Sequence, residues 1–138
     1  MDKNRKALRI LGSLIILGAF ISLVIGAHMT RTEHQALLLS GERRTLLSAI
    51  SGGIGVMISA VTNLAEGVTS LMASKDARFA GPAWVCSFFS VLSNLISGIS
   101  SIAKSGFSMM TLAGLITAIG LAINVYVAAG RLKQSYPK

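Results

Sequence analysis

Charge is what this sequence has least of. Only 13% of its 138 residues are charged, against roughly 25% in an ordinary globular domain. Acidic side chains are scarcer still, five Asp and Glu against thirteen Lys and Arg, which leaves a formal net charge of +8. So few charges cannot coat a water-soluble fold, while 52% hydrophobic residues and a mean hydropathy of +0.67 make lipid the expected solvent. The positive excess does not point to nucleic acid, because the basic residues form no local patch. They flank long apolar runs, with Lys3, Arg5, Lys6 and Arg9 before the first and Arg131, Lys133 and Lys138 after the last. That placement is the one that sets membrane topology.

Cysteine is almost absent too. Cys86 is alone, so an intrachain disulfide framework is excluded, and it reads as a small buried hydrophobe, or else as an acylation site near the membrane edge. None of the four asparagines, Asn4, Asn63, Asn94 and Asn124, is followed two positions later by Ser or Thr, so no glycan acceptor exists. Position 2 is not Gly and the last residues form no prenylation box, so none of the common lipid anchors is expected. Both histidines, His28 and His34, lie in one polar segment with Glu33, where solvated side chains are expected in place of metal ligands. No Ser-His-acid set and no phosphate-binding loop with its Lys can be assembled. The chain therefore reads as non-catalytic, with no cofactor, no metal and no evident small-molecule substrate.

Four runs come close to the roughly 20 apolar residues that a hydrocarbon core of about 30 Å requires. They are 10–27, 46–65, 83–103 and 107–129. The first exceeds the length of a signal-peptide core and is expected to stay as a span. The second is the least apolar. Residues 28–45 and 66–81 are expected as polar connections, the former with an apolar patch at 36–39 that could lie on the bilayer surface. Pro82 suits the first turn of the third run, and the short link Lys104-Ser105-Gly106 makes the third and fourth a hairpin. No soluble domain is expected, so 1–138 is one transmembrane unit.

Counting basic residues on alternate sides gives nine with the termini (Lys3, Arg5, Lys6, Arg9, Lys75, Arg78, Arg131, Lys133, Lys138) and four opposite (Arg31, Arg43, Arg44, Lys104). Both termini are thus expected on the cytoplasmic side. Trp84, Phe79 and Tyr126 are placed to anchor at that interface, next to Arg131 and Lys133.

Each run also carries small or polar residues at intervals of three and four. These are Gly18, Ser22 and Gly26; then Ser48, Gly52, Gly55, Ser59, Thr62 and Glu66; then Ser87, Ser90, Asn94, Ser97 and Ser101; then Ala113, Thr117, Gly120 and Asn124. A repeat averaging 3.5 predicts an antiparallel, left-handed four-helix bundle with these stripes facing a shared interior. Ile15, Ile16, Leu23, Ile25, Phe88, Leu92, Leu95, Ile116, Ile119 and Ile123 are then expected to face lipid or a partner. Glu66 is expected at a helix end, reaching interfacial water or pairing with Lys75 or Arg78.

Helix packing explains such stripes most simply, with Gly18, Ser22, Gly26, Ser48, Gly52, Gly55, Ser59, Ala113 and Gly120 as the contact residues. That makes the protein a structural or accessory membrane subunit, partnered by the bilayer and by other subunits or itself. The alternative is a small homo-oligomeric pore, with Ser87, Ser90, Asn94, Ser97, Ser101, Thr117 and Asn124 along a polar path.

Overall fold

The computed structural model describes residues 2–50 and 52–136, and the side chains of all of these but Leu47 and Ser105. Lys138 from the charge count and residue 51 of the second run lie outside the described residues. Helix α1 covers Lys3–Ser40, α2 covers Leu46–Ile50, α3 covers Gly53–Lys75, a 3-10 turn covers Ala77–Phe79, α4 covers Ala80–Ser105 and α5 covers Met109–Ser135. Four of these, the long ones, are long and apolar enough to cross a membrane.

The helices do not end where the apolar runs end. α1 continues through the expected connection at 28–45 as far as Ser40. Its polar residues there are acceptable helix formers. What stops it is Gly41, with φ 70°, whose N–H bonds the Leu37 carbonyl at 3.0 Å. The thirteen residues past Ala27 carry the helix about 20 Å beyond its apolar run.

The second crossing helix is displaced along the sequence. It begins at Gly53, not Leu46, and ends at Lys75, not Ala65. Residues 66–74 look like a polar connection only while their hydroxyls are counted as solvated. Thr69 Oγ1 donates to the Ala65 carbonyl at 2.8 Å and Ser70 Oγ to the Glu66 carbonyl at 2.7 Å, so both hydroxyls are satisfied within the helix. α4 and α5 lie close to the expected 83–103 and 107–129, joined through Gly106 at φ 78°.

α1 packs on α3, α3 on α4, α4 on α5 and α5 back on α1, which closes a ring of contacts. Two glycine pairs draw α1 against α3. A Cβ on Gly12 would stand 2.8 Å from the Gly67 carbonyl oxygen, and one on Gly26 would stand 3.0 Å from that of Gly53. Backbones approach this closely only where side chains are missing.

The main apolar core gathers the early part of α1, the last turn of α3 and first of α4, and the end of α5. Leu8, Ala73, Ala77, Ala80, Ala83, Val125, Ala129 and Leu132 are buried there, together with Ile15, which was expected to face outward. Most of these are alanines, so this end of the molecule is closed by helix proximity. Basic residues sit around it: Arg5 donates to the Lys75 carbonyl at 3.5 Å, and the Lys133 ammonium lies 5.0 Å from the Trp84 ring centre. Outward faces are strongly apolar, with Leu17, Phe20, Val24, Phe89, Ile99 and Ile116 all exposed. A soluble monomer rarely shows so much apolar surface.

Candidate functional site: a buried polar layer beside two clefts

Within the ring, α3 and α4 meet through polar side chains. Asn63 Oδ1 accepts from Ser90 Oγ at 2.6 Å and from Asn94 Nδ2 at 2.9 Å. Asn94 Nδ2 also donates to the Ser90 carbonyl at 2.8 Å, and Ser59 and Ser93 bring their hydroxyls to 3.2 Å. Ser87 is buried as well and donates to the Trp84 carbonyl at 2.7 Å. In a low-dielectric interior such a layer fixes the register of two helices, because slipping one past the other would strand several polar groups.

Glu66 lies one turn along α3 from Asn63 and is only 1% exposed. This corrects the expectation of a helix-end carboxylate meeting water, Lys75 or Arg78. Arg78 pairs instead with Asp76 at 2.7 Å. The Oε1 of Glu66 is buried and accepts no hydrogen bond from the described residues. Its contacts also place it in depth. Gly67 lies against Gly12, three residues past Arg9 on α1, so Glu66 sits about one turn inside the apolar runs on the basic side.

Two clefts that share part of their walls open beside this layer. One, of about 350 Å³, is lined by Ser22, Ser59, Asn63, Asn94, Ser97 and Ser101 with apolar residues between them. The other, of about 510 Å³, lies between α1 and α5 and has Glu66 and Asn63 on its wall. Ser22, Asn63, Met110, Gly114 and Ala118 line both.

The expected stripes are brought together only in part. Ser59, Ser87, Ser90 and Asn94 are buried, and Ser97 and Ser101 reach the smaller cleft. Gly26 packs on α3, whereas Gly18 and Gly120 have open space where a Cβ would stand. Ser48 is not a packing residue of a span: it exchanges hydrogen bonds with Thr45 at the start of α2. Gly55 lies against the Ile50 carbonyl and Gly52 against the Glu33 carboxylate. On α5 the stripe does not face inward. Ala113, Thr117 and Asn124 are exposed, and Thr117 and Asn124 bond the carbonyls of Ala113 and Gly120, one turn back on their own helix. Ala122, Val125, Ala128, Ala129 and Leu132 form the buried face instead. Trp84 stacks on Tyr126 with ring centres 5.0 Å apart, and Arg131 and Lys133 lie with them along a separate groove.

Three participants escaped the sequence reading: Asn63, Ser93 and the Gly12–Gly67 pair. A signal was present, since Ser59, Asn63, Glu66 and Ser70 recur at intervals of four, three and four. Ending the helix at Ala65 cut that stripe in two.

The fold and site together define a multi-pass α-helical membrane protein with a polar layer inside its helices. No protein-family model matches the chain, and neither does any curated protein or any solved structure.

Proposed function

We propose that this protein is a non-catalytic membrane subunit that works by lateral packing in the bilayer, its four spans forming an antiparallel, left-handed bundle with both termini on the cytoplasmic side. The observation that carries this is Asn124. Its amide lies on an exposed face of α5 inside an apolar span, and its described hydrogen bond is to its own helix, at Gly120 O, 2.7 Å. One N–H and the carbonyl oxygen remain available there, which favours a neighbouring helix that can bond them. Gly120, with open space beside it, allows that helix to come close. The basic cluster around Arg5, Lys75, Arg78 and Lys133 supports the orientation.

The test is purification in mild detergent followed by native mass analysis. Recovery of a stoichiometric membrane polypeptide, or of a defined homo-oligomer, that is lost on Asn124→Leu and Gly120→Leu supports the reading. A parent protein that runs as a bare monomer, or an assembly indifferent to both changes, removes it.

The polar lining of the smaller cleft favours a second reading, an oligomeric pore. In one chain the path meets the apolar core at Leu8, Val125 and Leu132, so conduction requires several chains. Reconstituted vesicles showing solute flux that Ser97→Leu abolishes would support it, and absence of flux from the parent would dismiss it.

A further inference from the structure

We infer that the cleft between α1 and α5 is a binding site for a lipophilic amine, with the cationic head on Glu66 and the apolar body along the two helices. The inference does not rest on the assembly reading: Gly120 and Asn124 share a face of α5 with Ala113 and Thr117 but lie further along the helix and do not line the cleft. A buried carboxylate oxygen with no donor is costly in a membrane interior, and a ligand that brings an N–H to it removes that cost. Oε1 of Glu66 is such an atom, on a side chain 1% exposed, and Glu66 borders the cleft. The carbonyl oxygen of Asn63 beside it is already engaged by Ser90 and Asn94, so the acceptor that meets the amine is the Glu66 carboxylate.

The rest of the cleft selects the body of the ligand. Its volume of about 510 Å³ is that of a small-molecule site, and Leu14, Ile15, Ile21, Ala118 and Leu121 supply an apolar lining. From Leu14 to Ser22 the α1 wall runs about 12 Å, the length of a short alkyl chain or fused-ring body. Leu14, Gly18, Ile21, Ala113, Gly114 and Thr117 are exposed along its mouth, so entry is from the side, through the face that meets lipid. A phospholipid is a poor occupant, because it would bring its anionic phosphate next to the same carboxylate, and like charges repel.

The experiment uses the full chain in mild detergent, with decylamine as the probe and decanol as its uncharged counterpart, and counts bound molecules by native mass spectrometry. The expected result is one saturable decylamine per chain that decanol does not displace. Glu66→Gln should weaken binding by at least about tenfold. Gly114→Phe, which fills the open space of the cleft while leaving Glu66 in place, should do the same. Asn124→Leu, outside the cleft lining, should bind as the parent does, which separates this site from the contact proposed at Asn124. Equal binding by the parent and Glu66→Gln, or decanol binding as tightly as decylamine, overturns the proposal. If Glu66→Gln does not yield folded helical protein, unimpaired binding by Gly114→Phe overturns it.

Discussion

The carboxylate of Glu33, on the last turns of α1, accepts the backbone N–H of Gly53 at 3.0 Å and so caps the start of α3 from another helix. α3 has no side-chain cap of its own, since Gly52 stands at that position. The part of α1 that projects past its apolar run therefore anchors the second crossing helix.

Removing that cap should cost about 1 kcal/mol. Glu33→Ala is expected to lower stability by this amount in denaturant unfolding followed by helical circular dichroism, whereas Glu33→Gln keeps an acceptor oxygen and should lose little. The Arg44 pair at 3.6 Å, its side chains 28% and 25% exposed, is longer than a hydrogen bond and contributes little. Equal losses for Gln and Ala would show that charge, not capping, is what matters.

At the Gly12–Gly67 crossing a side chain has no room. Gly12→Leu is expected to destabilise by about 1–3 kcal/mol through overpacking against the Gly67 carbonyl oxygen, 2.8 Å from where a Cβ would stand. Gly120→Leu, facing open space, should unfold like the parent in the monomeric state. Similar losses at both positions would mean that helix propensity and not close approach governs these glycines.

Asn63 holds the polar layer by accepting two hydrogen bonds across the α3–α4 contact. Asn63→Leu leaves the donors of Ser90 and Asn94 short of a partner and should cost about 1–3 kcal/mol. In a double-mutant cycle, Asn63→Leu with Asn94→Leu should lose clearly less than the sum of the two. Strict additivity would show that the bond contributes nothing in the folded protein.

Asp76 opens the 3-10 turn outside the helices that cross. The Arg78 side chain, its backbone N–H and its charge hold the Asp76 carboxyl below the usual carboxylate range. A group depressed on folding stabilises above its unfolded value, about pH 3.9, and that contribution is lost as pH falls through the folded value. NMR signals of the Arg78 amide and Nε–H should hold constant from about pH 5 upward and titrate with a midpoint below about pH 3.9. Asp76→Asn should abolish that titration; a midpoint at or above the ordinary carboxylate value would rule out the pairing.

How far the sequence carried the fold depends on which forces are local. That α4 and α5 cross, and nearly where they begin, followed from unbroken apolar runs bounded by Pro82 and by Gly106, whose left-handed conformation only glycine adopts freely. Crossing number and membrane class rest on the same property, since an apolar run must leave water whatever its neighbours are. The ends of α1 and α3 were not legible in this way. Polar residues at 28–40 and 66–74 mark a loop if they meet water and a helix if a neighbouring chain segment or their own backbone satisfies them.

The role of Glu66 divides the two levels most sharply. By itself the sequence determined that one carboxylate lies next to the second apolar run, and that small and polar residues repeat along each helix. Only the tertiary structure decided that the run continues to Lys75, that Glu66 is enclosed with an unpaired oxygen, and that the α5 stripe faces outward. The reason is physical: a stripe fixes which residues share a helix face, but the direction of that face depends on which neighbour offers the tighter fit. Here the alanine-rich face of α5 and the glycines of α1 and α3 allow closer approach, and close packing takes precedence over polarity.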